Sequence, residues 1–396
     1  MLQVSLVVKE KNLLGMILFI PFLKTEFYKY MFPVIDFIFN CALILCFIYL
    51  AYEYVIAGKG KNCDRKLEVI SIFFIAANIY STIINQGVLL ECITAFIKII
   101  AIYLYVEVII IKKKCSINCM YYPLLLLLLL NILSYAFYPN GIYTSFGANG
   151  SFYSDRNWIM GGKNAYYYYL LFAITIKLIR EDKQMFIYNH LFDDIIFYTI
   201  IFINIFVMSG SATTIIGICM IVVYSFSHGI VLKNSKKYVY LYWILAILIF
   251  YLVVLNNDGI LMNVISEIFG KSMTFTGRTM IWEKTISTLE DYVWFGRGFE
   301  DPLVTNTIIG QASSHNKYLW IVYRGGLTSM LTYVYFLQYC TKKIMEKYRW
   351  DIFQKFSFIF FSILVCWMTE CYDNNIFIFA FFVICVRYVP KEADKL

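Results

Sequence analysis

The chain has 396 residues, of which 61% are hydrophobic and only 15% are charged, and its formal net charge is +8. A soluble domain has about 45–50% apolar and about 25% charged residues. The composition therefore excludes a soluble protein and predicts an integral membrane protein that crosses the bilayer many times. The eleven cysteines are scattered, mostly in or beside apolar runs, so neither a disulfide framework nor a zinc site is expected.

Twelve apolar runs follow one another along the chain, each near the length of about 20 residues that crosses a bilayer. They span residues 12–27, 33–54, 67–85, 88–111, 120–138, 164–180, 191–208, 211–230, 238–255, 316–339, 354–371 and 374–388. The first run lacks a small-residue cleavage site after it, so we expect it to remain as a membrane helix. The predicted fold is an all-α polytopic membrane protein, with residues 1–396 forming one integral membrane domain of about twelve transmembrane helices.

Nineteen of the 34 basic residues lie in alternate loops or in the C-terminal tail, which predicts the orientation of the chain. They are Lys59, Lys61, Arg65, Lys66, Lys112, Lys113, Lys114, Arg180, Lys183, Lys233, Lys236, Lys237, Lys342, Lys343, Lys347, Arg349, Arg387, Lys391 and Lys395. Most turns on the other side carry almost no charge. This positive-inside pattern predicts both termini in the cytoplasm. It also accounts for the positive net charge, so no nucleic-acid partner is expected.

Cysteine labelling tests this orientation. Once the native cysteines have been replaced, we expect an impermeant thiol reagent on intact cells to label Asn257→Cys and to leave Lys112→Cys unlabelled. Asn257 lies in a predicted outer loop and Lys112 in a basic inner loop. Strong labelling at position 112 together with none at position 257 would overturn the orientation.

Two predicted outer loops are long, at 139–163 and at 256–314, the second lying between the ninth and tenth helices. Both are rich in Gly, Asn, Ser and aromatic residues, and both carry arginine. Long loops in a compact protein commonly carry function. We therefore expect the functional site on the outer face, with short interfacial helices in the second loop.

The first polar stretch is "SDRNWIMGGKN", residues 154–164, in which Arg156 and Lys163 precede a helix. The glycines between them let backbone N–H groups approach an anion, and a helix N-terminus favours negative charge. The planar guanidinium of Arg156 suits phosphate oxygens. The alternative is an interfacial loop whose basic residues meet lipid headgroups.

The second stretch is "FTGRTMIWEKTISTLEDYVWFGRGFED", residues 275–301. Residues 280–288 have the spacing of a short amphipathic helix lying on the membrane, with Arg278 at its start and Trp282 on the apolar side. "FGRGF" is a glycine-rich turn that contains Arg297. Glu300 and Asp301 follow it, and we expect both in a solvated turn.

The third stretch is "SSHNKYLWIVYRGG", residues 313–326, where the tenth helix begins. His315 lies within one turn of the helix start and could act as a general base, because its unperturbed pKa lies near neutrality. The alternative is a histidine that anchors a helix end at the interface. The other two histidines, His190 and His228, lie at predicted inner loops and cannot share its site.

Arg324 lies nine residues beyond His315, so it faces away from His315 unless Gly325 and Gly326 bend the helix. A charge inside the membrane usually faces a cavity or a partner. Glu91 and Lys98 share a face of the fourth helix. They could pair with each other or with Arg324, and a structural ion pair is the favoured interpretation.

The motifs "TGRTMIW", "FGRGF" and "SSHNKYLWIVYRGGLTSML", in this order, resemble the C-terminal signature of the O-antigen ligase and Wzy-type polysaccharide polymerase superfamily. The order of a GR-x-x-x-W segment, a G-x-G turn and an HN-x-x-L helix is fairly specific, and the predicted topology extends the resemblance to nearly the whole chain. The sequence departs from the family pattern at Ala212, Trp320 and Arg324, so the detailed substrate contacts of relatives are not carried over.

The resemblance implies inverting glycosyl transfer at the outer face of the cytoplasmic membrane, from a glycan on polyprenyl pyrophosphate, without nucleotide sugar, cofactor or metal. The outer loops also lack the carboxylate cluster that a hard cation requires. The implied catalytic residues are His315 as base, with Arg278 and Arg156 on the pyrophosphate. The candidate substrate-binding residues are Lys163, Arg297, Asn316, Trp282 and Arg324.

The favoured interpretation is a polymerase that joins repeat units of O-antigen, capsule or another exopolysaccharide. Its partners would be lipid-linked oligosaccharides and membrane lipids, with a chain-length regulator and a flippase as candidate proteins. A ligase that passes a whole glycan to a different acceptor is the alternative within the family. A multi-pass transporter or flippase is the alternative outside it, with Lys98, Glu107 and Arg324 as an ion path.

Overall fold

A computed structural model describes residues 2–56, 64–146, 152–182, 190–226, 239–255, 278–348, 350–371 and 376–388. The α-helices within these ranges are α1 Leu2–Phe19, α2 Glu26–Met31, α3 Pro33–Ile56, α4 Arg65–Ile84, α5 Leu89–Tyr105, α6 Asn118–Phe137, α7 Tyr166–Asp182, α8 His190–Phe202, α9 Ala212–Phe226, α10 Val239–Phe250, α11 Arg278–Leu289, α12 Pro302–Ile309, α13 Lys317–Lys347, α14 Trp350–Cys366 and α15 Ile376–Arg387. Short π-helical segments continue three of them, over Val106–Lys112, Ile203–Ser209 and Tyr251–Leu255. One antiparallel pair of strands, β1 Tyr143–Phe146 and β2 Phe152–Asn157, completes this part of the chain.

Each of the twelve predicted apolar runs overlaps helical structure. Four helices of the described residues are long and apolar enough to cross a membrane, over Pro33–Ile56, Arg65–Ile84, Leu89–Lys112 and Asn118–Phe137. Shorter apolar helices follow in the second half of the chain. An all-α membrane protein is therefore confirmed, while the count of twelve spans and the orientation stay predictions.

The helix observed for the first predicted span, 12–27, ends before the predicted C-terminal end. Helix α1 ends at Phe19, and Pro21 lies in the 3₁₀ turn that follows. Proline has no backbone N–H to donate and crowds the preceding turn, which favours the end of the α-helix here. Lys24, just beyond this turn, pairs with Asp36 of α3 at 2.7 Å, so both charges are matched at the edge of the bundle.

Helix α13 is broken at Gly326, whose φ of 65° and ψ of −168° are not helical. The break leaves backbone groups on either side without helical partners, and the segment 293–298 supplies new ones. The bonds are Arg297 N to Tyr323 O at 2.6 Å, Gly298 N to Arg324 O at 2.9 Å, Leu327 N to Val293 O at 2.8 Å and Thr328 N to Trp294 O at 3.3 Å. The predicted glycine-rich turn therefore fills the break in the tenth predicted helix.

Glycine is required in this turn because two backbones approach closely. A Cβ on Gly296, which has a φ of 64°, would lie 2.6 Å from both Gly326 N and Tyr323 O. Helix α4 holds the same segment from the other side, since Asn85 donates to the Gly296 carbonyl at 2.9 Å. The turn thus anchors the second long loop to the membrane helices.

Substitution of Gly326 tests this packing. Its backbone conformation is open almost only to glycine, at a cost on the order of 1–3 kcal/mol for other residues, and a Cβ there would collide with the backbone of Trp294. We expect Gly326→Ala to lower the thermal unfolding midpoint of the detergent-purified protein strongly.

The matched control is Gly310→Ala. Gly310 also has a positive φ, of 85°, but its Cβ would meet the flexible end of Lys284 at 3.7 Å. The control variant places an alanine at a positive φ without a collision. A larger loss of stability in Gly326→Ala would therefore report the collision with Trp294. Equal midpoints for the two variants would contradict the close packing of the break against segment 293–298.

Candidate functional site

The polar stretches of the predicted outer loops meet at one buried carboxylate, Glu370, which follows α14 and is 3% exposed. Arg278 Nη2 donates to Glu370 Oε1 at 2.5 Å, and Asn164 Nδ2 donates to the same oxygen at 2.7 Å. The second oxygen, Oε2, lies 3.9 Å from His315 Nδ1. Residues from four distant parts of the sequence therefore form one cluster, which we call the Glu370 cluster: Asn164, Arg278, His315 and Glu370.

Asn164 reaches the cluster because its loop is tied to the bundle. The Trp158 indole donates to the Tyr138 carbonyl at 2.8 Å, at the end of α6. The Met160 amide donates to the Asn131 side chain, within α6, at 2.9 Å. These bonds hold the segment after β2 against α6. Asn164 then lies in the 3₁₀ turn that leads into α7.

The orientation of the Asn164 side chain is also set by a hydrogen bond. Ser211 Oγ, just before α9, donates to Asn164 Oδ1 at 2.5 Å. Because the amide oxygen accepts from Ser211, the amide nitrogen faces Glu370. Asn164 is thus a fixed donor to the carboxylate.

Arg278 stands at the first described residue of α11, and Trp282 lies one turn further on the same side. Trp282 is fully buried and packs with Leu319 of α13 and with Val253 and Val254. Its indole N–H donates to the Ser314 carbonyl at 3.0 Å. This anchor fixes α11 so that Arg278 reaches Glu370. The predicted helix over 280–288 is confirmed, while its position on the membrane stays a prediction.

The backbone at His315 is held in a strained conformation, with a φ of 49°. Left-handed backbone is uncommon for residues other than glycine, and such strain persists where the surroundings impose it. Here the neighbours impose it: Ser314 Oγ donates to the Asn316 carbonyl at 2.7 Å, and Asn316 Nδ2 donates to Met368 O at 2.9 Å. The turn around His315 is therefore fastened to the turn that carries Glu370.

Asn316 is fully buried and caps α13, because its Oδ1 accepts from the Leu319 amide at 3.0 Å. Asparagine is among the residues preferred at this position. Both ends of its amide are thus bonded to backbone groups. A direct substrate contact by this side chain, which the sequence suggested, would require one of these bonds to break.

Exposure separates the members of the Glu370 cluster. The side chains of Arg278 and His315 are 16% and 18% exposed, whereas that of Glu370 is 4% exposed. A ligand that approaches the cluster meets the guanidinium and the imidazole before the carboxylate. An anion can therefore contact Arg278 and a hydroxyl group can contact His315, while the negative charge of Glu370 is more deeply buried.

The loop 139–163, predicted without regular structure, contains the β1–β2 hairpin. Arg156 is exposed on β2, and the described contacts of the Glu370 cluster do not include it. Lys163 begins the 3₁₀ turn next to Asn164, and its side chain lies outside the described part. The structure thus brings Arg278 and His315 to one carboxylate.

Arg297 contacts a carboxylate of its own turn. Its Nη2 and Nε lie 2.7 Å and 2.8 Å from Glu300 Oε1, and the Tyr323 hydroxyl donates to Glu300 Oε2 at 2.7 Å. The expected solvated turn is therefore wrong for Glu300, because a neighbouring arginine and a tyrosine of α13 bind it. The expectation is right for Asp301, which is exposed and caps α12 by accepting from Leu303 N at 2.8 Å.

Arg324 packs against aromatic rings. Its guanidinium carbon lies 3.9 Å from the ring centroid of Phe299 and 4.5 Å from that of Trp320, a favourable cation–π arrangement. The break in α13 comes after Arg324, at Gly326, so it does not turn Arg324 toward His315. One of these rings, Phe299, belongs to the glycine-rich turn, and the other, Trp320, lies one helical turn earlier in α13.

Sequence reasoning missed Glu370, Asn164 and Ser211. One signal was available for Glu370, since it is the single acidic residue of the predicted run 354–371 and lies at its predicted outer end. Within the described residues, no group of three or more His, Cys, Asp or Glu side chains could hold a metal ion.

Comparison with known proteins gives one family. A search of curated proteins found no match, but residues 197–334 match the family model described as O-antigen ligase. Arg278 and His315 lie inside this match, whereas Asn164 and Glu370 lie outside it. With the apolar helices, the match indicates a multi-pass membrane protein of the ligase and polymerase type. This match over residues 197–334 contains the three motifs and agrees with the resemblance that they show.

Proposed function

We propose that this protein is a glycosyltransferase that joins polyprenyl-pyrophosphate-linked oligosaccharide repeats at the outer face of the bacterial cytoplasmic membrane. One observation carries the proposal. Arg278 and His315, which come from separate parts of the family domain, converge on Glu370 at 2.5 Å and 3.9 Å. A cation and a base side by side are what transfer from a pyrophosphate leaving group requires.

His315 acts as the base in this proposal. Its Nδ1 faces Glu370, which leaves Nε2 for the hydroxyl of the acceptor sugar. As the hydroxyl oxygen bonds to the anomeric carbon of the donor, its proton passes to Nε2. The bond between that carbon and the pyrophosphate oxygen breaks, and the electron pair leaves with the pyrophosphate. Attack opposite to the leaving group inverts the anomeric configuration.

Arg278 stabilises the leaving group. A guanidinium offers a planar pair of donors that matches phosphate oxygens, and its charge offsets the charge that grows on the pyrophosphate. Arg156 on the exposed hairpin and Lys163 beside Asn164 are the further basic residues proposed to meet the donor from the opposite loop.

Four other candidates have partners that favour structural roles. Trp282 and Asn316 are fully buried; Trp282 donates to Ser314 O beside His315, and Asn316 donates to Met368 O in the turn before Glu370. We therefore assign both to positioning the base. Arg297 and Arg324 bind Glu300 and two aromatic rings, respectively. We assign both arginines to anchoring the glycine-rich turn instead of to substrate contact.

Chelation tests the proposed absence of a metal requirement. The charge on the leaving group is met by arginine in this mechanism, so we expect polymer formation to continue at the same rate in excess EDTA. The measurement is the rate of polymer formation by protein purified and assayed with the chelator. Loss of activity that a divalent ion restores would exclude this mechanism.

The position of the cluster favours an enzyme over a transporter. Arg278 begins α11, His315 precedes α13 and Glu370 follows α14, so the cluster lies at helix ends. Transporters place their sites near the membrane midplane on broken helices. The one broken helix described here has its break filled by backbone of the same chain.

Reconstitution separates the three candidate functions. Purified protein in liposomes would receive a lipid-linked repeat unit, first alone and then with a non-identical acceptor glycolipid. We expect products of two or more repeats from the repeat unit alone. Transfer only to the second acceptor would identify a ligase, and movement of the unit across the bilayer without a new linkage would identify a transporter.

A further inference from the structure

We propose that Glu370 is a positioning residue that exchanges partners when the donor binds. In the free protein it holds Arg278. When a pyrophosphate takes Arg278, the carboxylate turns to the Nδ1–H of His315 and orients the base. This inference rests on the proposed function, because it assigns the pyrophosphate to Arg278 and proton transfer to His315.

One oxygen of the Glu370 carboxylate accepts two hydrogen bonds, and the other lies just beyond hydrogen-bond distance of His315. Oε1 accepts from both Arg278 and Asn164, at 2.5 Å and 2.7 Å. Oε2 lies 3.9 Å from His315 Nδ1, which is about 1 Å longer than a usual hydrogen bond. His315 is therefore the neighbour that a small rotation of the carboxylate would reach.

Burial makes the exchange necessary. A buried carboxylate that loses a cationic partner is strongly destabilised, because water cannot replace the lost partner. A pyrophosphate competes for the Arg278 guanidinium through the same bidentate geometry. Once Arg278 is shared with the donor, Glu370 needs another hydrogen-bond donor, which the Nδ1–H of His315 supplies, and this bond strengthens when His315 takes the acceptor proton.

Asn164 provides the pivot for this exchange. Its amide oxygen is held by Ser211 at 2.5 Å, so its nitrogen keeps donating to Oε1 whether or not Arg278 remains. The carboxylate can then rotate about a retained bond without losing all its contacts. Donor binding at Arg278 is thereby coupled to orientation of the base, so the acceptor is activated only when a donor is in place.

The histidine count allows a direct test. The chain has only three histidines, so His190→Asn with His228→Asn leaves His315 as the single reporter. This parent protein would be labelled with ¹⁵N-histidine, placed in lipid nanodiscs and titrated with farnesyl pyrophosphate, a prenyl pyrophosphate without sugar. Binding is followed by the ³¹P signals of the probe, and the ¹⁵N resonance of His315 Nδ1 reports its hydrogen bond.

We expect saturating probe to shift the Nδ1 resonance toward that of a carboxylate-bonded imidazole in the parent, and to produce less than half of that shift in Glu370→Gln. The glutamine keeps the size of the side chain but turns an amide group toward Nδ1. An unchanged resonance in the parent, an equal shift in the glutamine variant, or no binding of the probe would each overturn the exchange.

Kinetics distinguish this role from a purely structural one. Orientation of a base is part of its contribution of about 10²–10⁴-fold. We therefore expect Glu370→Gln to lower kcat by about tenfold or more, with the donor KM unchanged or lower. Glu370→Asp should recover part of kcat.

The matched control is Glu300→Gln, which removes the charge of a comparable ion pair with Arg297 outside the cluster. It should leave kcat within about twofold, in line with the modest energy of partly exposed ion pairs.

The outcomes also separate this inference from the proposed function. If the wild-type protein makes polymer but Nδ1 does not respond to the probe, the exchange is wrong and the function stands. If Nδ1 responds but no polymer forms from lipid-linked repeats, the exchange stands and the polymerase assignment fails.

Discussion

We expect His315→Ala to lower glycosyl transfer by about 10²–10⁴-fold, the contribution of a general base, while the protein still inserts and accumulates. The side chain is partly exposed, and the turn that holds it is fixed by bonds from Ser314 and Asn316. Alanine keeps those bonds and removes only the imidazole. The measurement is polymer formed per amount of protein in the membrane fraction.

His228→Ala is the matched control for this variant. His228 lies in a predicted inner loop, outside the described residues, and its loss should leave polymer formation unchanged. If His315→Ala makes polymer at the unmodified rate, the base assignment is wrong and His315 is a helix-end anchor.

Arg278→Ala lowers transfer by about 10²–10³-fold, the usual effect of removing one group that stabilises developing negative charge. Arg278→Lys recovers only part of this loss, because an ammonium keeps the charge but not the paired donors. The measurement is the rate of polymer formation at saturating donor. We expect Arg156→Ala to change the rate in the same direction, since both arginines are proposed to meet the pyrophosphate.

Arg297→Lys is the control for the lysine substitution. Arg297 lies in the same outer loop and pairs with Glu300 instead of Glu370, so this variant should retain most of the rate. Full activity in Arg278→Lys would show that the paired donors are not needed. Equal losses in the two lysine variants would show that the loop responds as a whole, and the assignment of Arg278 would fail.

Much of the fold could be predicted because hydropathy acts locally. A membrane span needs only a long apolar run, and the predicted runs 33–54, 67–85 and 120–138 each coincide with a helix to within a few residues. The break in α13 was open at the sequence level, where Gly325 and Gly326 suggested a bend. The direction of that bend depends on segment 293–298, which no local pattern reveals.

Other elements were missed although their signals were present. Helix α12 begins with Asp301 as its N-cap and Pro302 at its first position, and Gly310 ends it in the left-handed region. These are standard start and stop signals for a helix. The surrounding polarity favoured a solvated turn instead. The β1–β2 hairpin gave no comparable signal, because its strands are only four and six residues long.

Part of the candidate site could be predicted because two of its residues lie in local sequence motifs. Residue type and motif order pointed to Arg278 and His315, and the structure brings both to one carboxylate. Glu370 follows His315 by more than fifty positions and belongs to no motif, so only the packing of α14 against the turn before α13 reveals it. Conversely, arginine as a residue type did not separate Arg278 from Arg297, because a ligand contact and an internal ion pair need the same side chain.

The most direct measurement of the central claim counts leaving groups against linkages. Purified protein in liposomes would receive a repeat unit labelled in both its lipid and its sugar. We expect one prenyl pyrophosphate to be released for each new glycosidic linkage, and both products to be lost together in His315→Ala and Arg278→Ala. Linkages formed without release of prenyl pyrophosphate, or equal release in the wild-type protein and both variants, would contradict the proposed site.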